Sequence, residues 1–285
     1  MHERNEARSL PTGGHPQDRR ASPRVALASR VDVEIDGGTT VAQGASLDLG
    51  IGGLCIRLAQ AAPLERVCGI RIPNGRRELA LRARGAWQRK SPTDESYMLG
   101  VEFLAPPPGE LTALWQLLNQ RALELSRFLV DQSEFAETDI DILMDLALCT
   151  RRREFTEGVQ IYAEGAVPWD ESSIFIVAQG CVGLSMRGAG ELARPVDLGT
   201  ASVGEVFGGL PAVLGLPHVD SARALTPVQL LEIDAFSLES LAREKPLVAR
   251  TLERVALRHY VRRFPMLLTA PEQRASGATA LPREA

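Results

Sequence analysis

The sequence Arg19-Arg20-Ala21-Ser22-Pro23-Arg24 directly precedes the first strand-like run of the chain and places three guanidinium groups close together. Pro23 lacks a backbone N–H and pushes Ser22 toward extended geometry, so we do not expect Arg20 and Arg24 to form a helical i,i+4 pair. An extended, basic and flexible segment of this kind can fold over an anionic ligand. Arginine suits guanine and phosphate, because its fork donates two parallel hydrogen bonds and its plane stacks on bases. A solvated, charged lead-in is the alternative for this segment taken alone.

A second element downstream favours the binding hypothesis. It is Asp48-Leu49-Gly50-Ile51-Gly52-Gly53, and Gly85-Ala86-Trp87 and Leu99-Gly100-Val101-Glu102-Phe103-Leu104 follow it. Together with the arginines, these pieces resemble a PilZ domain, the small β-barrel receptor for cyclic di-GMP, over roughly residues 18–108. Arg20 and Arg24 match the RxxxR of that family, and Asp48 and Gly53 match the ends of its (D/N)xSxxG. Gly50 stands where the family usually has Ser, so one hydroxyl is missing.

The resemblance implies a role for each matched residue. Arg20 and Arg24 are expected to contact guanine edges, guanine faces and phosphate, with Arg19 as an auxiliary charge. Asp48 is expected to accept hydrogen bonds from guanine N–H groups. Gly50 and Gly53 are expected to let the backbone approach the ligand closely.

Alternating strands support a barrel in this part of the chain. Val31–Asp36 alternates with a period of two and ends at a glycine turn, and in Glu78–Arg89 the apolar and arginine side chains face opposite ways. Closely spaced strands joined by turn residues predict an antiparallel barrel or sandwich. The polar residues 1–17 predict a disordered lead. The remaining predicted strands are Val41–Leu49, Gly53–Leu58, Val67–Ile72 and Tyr97–Leu104.

A helical segment separates this barrel from the second half of the chain. Pro106-Pro107-Pro108-Gly109 ends the strands, and the periodicity is helical from Glu110 onward. We predict a connecting helix over residues 109–133 whose apolar stripe packs against one of the domains. Roles in homodimerisation or in passing a signal between the halves stay open. The stripe consists of Leu111, Leu114, Trp115, Leu118, Ala122, Leu125, Phe128 and Leu129.

The second half returns to strands and ends in helices. Gly158–Gly165 reads GVQIYAEG, Ile174–Val182 reads IFIVAQGCV, and Gly204–Gly208 reads GEVFG. In this order the pieces resemble the β-roll of cyclic-nucleotide-binding domains of the catabolite-activator type, over roughly residues 134–264. The expected fold class is therefore mainly β with helical connectors: a PilZ-like antiparallel barrel, then a β-roll with C-terminal helices. Those helices are predicted at Ala235–Glu244 and Pro246–Phe264.

The resemblance to this second family extends to the fold but not to the nucleotide site. In the family a Glu after Phe-Gly takes the ribose hydroxyl, and an Arg before Ser-Ala pairs with the cyclic phosphate. Here Gly208 is followed by Gly209, and Asp220 precedes Ser221. A carboxylate facing a phosphate reverses the sign of the main contact. We therefore predict a degenerate pocket for cAMP and cGMP, which Arg223 does not rescue because it should point to the opposite face.

Composition narrows the classes of function. The net charge of −4 gives no general case for nucleic acid, and the four cysteines are far apart, which predicts reduced thiols in the cytoplasm. Met1–Arg30 lacks an apolar h-region, no run approaches the length of a membrane span and the histidines are scattered, so we expect no leader, no membrane span and no zinc site. No P-loop, GxSxG or HExxH occurs, so we expect no enzyme, no catalytic residue, no metal and no cofactor.

Two hypotheses remain for the function. The first is a cyclic di-GMP receptor that relays binding to an unknown protein partner through the degenerate roll. The second is an interaction module in which both nucleotide sites are vestigial. Arginines on the last helix are either a solvated face or a docking face for an acidic partner or nucleic acid. Residues 265–285 are predicted to be a disordered tail without a helix-turn-helix, so direct DNA binding is not expected.

Overall fold

The computed structural model describes residues 24–75, 77–91, 94–132, 134–166, 172–187 and 195–264. The predicted lead and tail lie outside the described residues, and so do Arg19 and Arg20. Strand outweighs helix, 42% against 32%, which confirms the mainly β fold class. No described helix is both long enough and apolar enough to cross a lipid bilayer.

Six of the first seven strands form a closed antiparallel barrel. Around the barrel the strands follow the order β3-β2-β5-β6-β7-β4, and pairing of β4 with β3 closes the ring, as the resemblance predicted. β1 pairs with β3 outside the ring. The bounds are β1 Arg24–Ala26, β2 Arg30–Ile35, β3 Thr40–Gly50, β4 Gly53–Leu58, β5 Val67–Asn74, β6 Arg77–Lys90 and β7 Tyr97–Phe103.

The alternation of apolar and polar residues positions the barrel core. In β6, Leu79, Leu81 and Ala83 are buried, while Ala80, Arg82 and Arg84 are exposed. β1 follows the same rule, since Val25 joins the barrel core and its two neighbours point outward.

The second domain is a β-roll of two four-stranded sheets with helices at its end. One sheet has the order β13-β10-β15-β8 and the other β12-β11-β14-β9, and residues of both sheets share one apolar core. The strand bounds are β8 Arg151–Phe155, β9 Gln160–Tyr162, β10 Ser173–Gln179, β11 Val182–Met186, β12 Val196–Ala201, β13 Val206–Phe207, β14 Ser221–Ala224 and β15 Val228–Asp234. The helices are α1 Pro108–Gln132, α2 Ile140–Ala147, α3 Leu210–Leu214, α4 Ala235–Glu244 and α5 Pro246–Arg263.

The connecting helix α1 packs against both domains, whereas the sequence predicted contact with one. Leu114 and Leu118 belong to the barrel core, Leu129 belongs to the core of the second domain, and Leu125 contacts both. Trp115, predicted on the apolar stripe, is 39% exposed. A helix this long, with its two ends in two cores, joins the domains as one packed unit.

Candidate functional site

Two residues predicted to bind the ligand already contact each other. Arg24 begins β1 and Asp48 lies in β3, and Nη1 of Arg24 donates to Oδ1 of Asp48 at 3.1 Å. Asp48 is only 4% exposed. Among the described residues, Nε of Arg24 is buried and finds no acceptor. Arg24 therefore keeps an unused hydrogen-bond donor beside a buried carboxylate.

A β-bulge directs the Asp48 side chain. The register of β3 against β4 shifts between Ser46 and Asp48, so one residue of β3 has no counterpart there. Bulges re-aim side chains and are common next to functional sites. After the bulge, Leu49 faces the barrel core while Asp48 lies across from Ala26 on the outer side.

Of the two glycines predicted to bind the ligand, the structure explains Gly53 by close packing and shows no such constraint at Gly50. Gly50 ends β3 opposite Arg24, and the described glycines with a positive φ do not include it. Gly53 is required by packing, because a Cβ there would collide with the carbonyl oxygen of Val101 in β7. Gly53 thus allows a close approach of two strands, and its predicted role toward a ligand stays a prediction.

The segment that leads into the second domain bonds directly to β1. The backbone N–H of Arg24 donates to the Leu148 carbonyl at 2.5 Å, and the N–H of Ala26 donates to Oγ1 of Thr150 at 3.4 Å. Arg24 and Cys149 also form an isolated parallel bridge. The strand that begins with Arg24 is therefore held on one edge by the barrel and on the other by the segment leading into β8.

Charged groups of both domains converge at this point. The pKa of Cys55 is raised to about 12, mainly by burial and also by the charge of Asp48, while Arg24, Arg89 and Arg151 offset part of the rise. Arg151, the first residue of β8, therefore acts on the same spot as the two predicted ligand residues. Sequence reasoning missed it, although the run Arg151-Arg152-Arg153 was a visible signal.

In the second domain, Asp220 occupies the predicted degenerate pocket as a buried carboxylate. Its Oδ2 accepts a hydrogen bond from the Tyr162 hydroxyl at 3.2 Å, while Oδ1 is buried without a partner among the described residues. Burial raises the pKa of Asp220 to about 6, and the bond from Tyr162 and the charge of Arg263 offset part of that rise. A pocket centred on this group favours donors and repels a phosphate.

The other predicted residues of this pocket take structural roles. Gly208 has a φ of 76°, and Gly209 lies so close to α5 that a Cβ there would be 3.0 Å from Cβ of Ala256. Oγ of Ser221 accepts from the Glu164 N–H at 2.9 Å. A glutamate in place of Gly209 would have to displace its neighbours.

Arg223 does not replace the missing phosphate-binding arginine. Its Nη1 donates to the Gly158 carbonyl at 2.6 Å on the exposed side of β14, while Ala222 and Ala224 are buried. The expectation that it points away from Asp220 therefore fits the structure.

Two aromatic residues that sequence reasoning did not single out complete the pocket. The ring of His218 stacks on that of Tyr162 with a centroid distance of 3.8 Å. Burial lowers the pKa of His218 to about 4, so the ring is neutral near pH 7. Tyr162 also lies against Gly208, so its side chain contacts His218, Asp220 and Gly208.

Family comparisons agree with this division of the chain. The sequence matches the PilZ domain over residues 18–120 and the cyclic nucleotide-binding domain over residues 152–245. Both are regulatory, non-catalytic families. No match was found among curated proteins.

Similar solved structures include three cyclic-nucleotide-related proteins. The catabolite activator protein of Thermus thermophilus is 24% identical with a TM-score of 0.40, covering 47% of this chain, and the chain spans 60% of its length. The regulatory subunit of a cAMP-independent protein kinase A from Trypanosoma cruzi, bound to guanosine, is 16% identical with a TM-score of 0.44, covering 64% of this chain and 62% of its own. The regulatory domain of Toxoplasma gondii protein kinase A with cAMP is 14% identical with a TM-score of 0.43, covering 81% and 76%. With its closed barrel followed by a β-roll, the chain carries a PilZ domain over residues 18–120 and a cyclic nucleotide-binding domain over residues 152–245.

Proposed function

We propose that the protein is a receptor for cyclic di-GMP that binds the ligand at Arg20, Arg24 and Asp48 and relays binding to its second domain. The observation that carries the proposal is the Arg24–Asp48 pair, in which Nε of Arg24 has no acceptor among the described residues. Guanine offers N–H donors to a carboxylate and acceptors to a guanidinium, and phosphate takes the remaining arginine donors. The contacts of β1 with Leu148 and Thr150 give such binding a direct route to the second domain.

Calorimetry with cyclic di-GMP on the full chain tests this function. We expect micromolar or tighter binding, and Arg24→Ala should raise Kd about tenfold or more because charge-assisted hydrogen bonds are lost. Arg30→Ala is the matched control, since Arg30 is an exposed arginine of the same barrel that bonds to Gln43. No binding at high micromolar ligand would refute the receptor, and equal affinity of Arg24→Ala and Arg30→Ala would refute the site.

We propose further that the second domain does not bind cAMP or cGMP and serves as the relay. The support is the buried carboxylate of Asp220 where the phosphate needs a positive charge. Titration of the full chain with each nucleotide should give no low-micromolar binding. Asp220→Arg should restore only part of the affinity, because Gly209 still lacks the ribose-binding carboxylate. Low-micromolar binding by the unmodified chain would contradict this proposal.

The receptor hypothesis also implies a setting and a partner. The four free cysteines suit the reducing cytoplasm, where we place the protein. Its output is proposed to be a change in how the second domain meets a protein partner, with no catalytic step of its own. If cyclic di-GMP fails to bind, the second hypothesis, an interaction module with both sites vestigial, takes its place.

A further inference from the structure

The outer face of β1 aligns one charged residue from each domain. In β1, Val25 points into the barrel, so Arg24 and Ala26 point outward, and Ala26 packs against the core of the second domain. Ala26 lies across from Asp48 on the β3 side. On the other edge of β1, Cys149 pairs with Arg24 and Oγ1 of Thr150 accepts from the Ala26 N–H, so Arg151 is the next residue at the Ala26 end. Asp48 and Arg151 therefore approach Ala26 from opposite edges of β1.

Arg151 forms an ion pair within its own domain. Its Nη2 lies 2.7 Å from Oδ2 of Asp234, the residue that caps α4 by accepting from the Ser237 N–H at 2.8 Å. Burial lowers the pKa of Arg151, but the attraction of Asp234 and of Asp48 outweighs it and the net shift is upward. Charges of alternating sign thus run from Arg24 through Asp48 and Arg151 to the N-terminus of α4.

Bound cyclic di-GMP would compete with Asp48 for the donors of Arg24. When Arg24 turns its donors toward a phosphate or a guanine, Asp48 loses the partner that now neutralises it. A nearly buried carboxylate without a counter-charge is strongly destabilised. Arg151, two residues after Cys149 in the segment that pairs with β1, then supplies the positive charge that orients Asp48 toward guanine N–H groups.

We propose that Arg151 is a positioning residue of the cyclic di-GMP site, contributed by the second domain. It holds Asp48 in place for the ligand and connects the occupied site to the cap of α4. This inference rests on the proposed receptor function and extends it, because the complete site then contains residues of both domains.

Calorimetry with cyclic di-GMP on the full chain tests the positioning role. We expect Arg151→Ala to raise Kd about tenfold, and Arg151→Lys, which keeps the charge, to recover most of that loss. Arg57→Ala is the matched control, because Arg57 forms an ion pair with Glu154 across the same domain boundary. Its Kd should stay within about twofold of the wild type.

A second measurement needs no ligand. In a double-mutant cycle on thermal unfolding, Asp48→Asn and Arg151→Ala should be non-additive, since each removes the same pairing. Additive losses would overturn the interaction of Asp48 with Arg151, and an unchanged Kd in Arg151→Ala or an equal loss in Arg57→Ala would overturn the positioning role. If the wild-type chain binds no cyclic di-GMP, the proposed function is overturned and the positioning role falls with it. Wild-type binding that Arg151→Ala leaves intact overturns the positioning role alone.

Discussion

Asp220 is a buried carboxylate of the second domain, and no cation among the described residues forms an ion pair with it. Its ordinary pKa is 3.8 and burial raises it to about 6. The sign of the effect on stability follows from linkage. Below pH 3.8 the side chain is protonated whether the chain is folded or unfolded, whereas above pH 6 the folded domain must hold a buried charge. Asp220 therefore favours folding in acid, and this contribution is lost as the pH rises through 6.

The variant Asp220→Asn should remove this pH dependence, because the amide keeps an acceptor for Tyr162 and does not titrate. We expect its stability relative to the wild type to increase between pH 4 and pH 7, by on the order of 3 kcal/mol. Urea unfolding of both proteins across that range measures the difference. The buried histidines His218 and His259 titrate in both proteins, so their opposing contribution cancels in the comparison. A difference that is constant with pH would refute the assignment.

At the scale of elements, α1 contributes side chains to the hydrophobic cores of both domains. Leu125, near its middle, contacts both, whereas Leu118 contacts the barrel core alone and Leu129 the second core alone. Sequence periodicity predicted the helix and most of its apolar stripe. It does not tell which domain packs against each turn of the helix. The exposed Trp115 shows the same limit.

Leu125→Ala should therefore loosen both domains, at a cost of about 1–3 kcal/mol for a partly buried leucine. Amide hydrogen exchange measured by mass spectrometry should become faster in barrel peptides and in second-domain peptides alike. Leu118→Ala and Leu129→Ala are the matched controls, and each should affect mainly its own domain. If the effect of Leu125→Ala were confined to one domain, α1 would not couple the two cores.

The strands show where prediction from sequence ends. The run Gly53–Leu58 was predicted with its final bounds, because a short apolar run that follows a glycine turn is a local signal of a buried strand. No strand was predicted at β1, and only its first residue, Arg24, belongs to the segment that was expected to be extended and flexible. β1 has only three residues, so its pattern is too short to detect. Its partners Leu148 and Thr150 are far away in sequence, and no local pattern reveals them.

At the scale of the whole molecule, the domain order could be predicted while the contact between domains could not. Each resemblance covers one domain, and the pairing of β1 with the segment before β8 belongs to neither. The same holds for the site. Arg24 and Asp48 follow from a motif, whereas Arg151 was found only through its place beside them.

If the ligand site joins the domains, cyclic di-GMP should stabilise both. At a free concentration one hundred times Kd, we expect the free energy of unfolding to rise by about 2.7 kcal/mol. Amide exchange should slow in β8 as well as in β1, since both border the pair of Arg24 and Asp48. The same concentration of cAMP serves as the control and should have no effect. Protection confined to the barrel would show that binding is not transmitted.

The bonds between β1 and the segment before β8 can form only late during synthesis of the protein. Ala26 and Thr150, whose groups bond across the domain boundary, are 124 positions apart in the chain. At typical elongation rates, a ribosome needs roughly 6–25 s to cover that distance. During that interval the nascent barrel can close its ring, yet the edge of β1 has nothing to pair with. If the proposed receptor function and its two-domain site are right, a newly made chain can bind cyclic di-GMP only once translation has passed into the second domain.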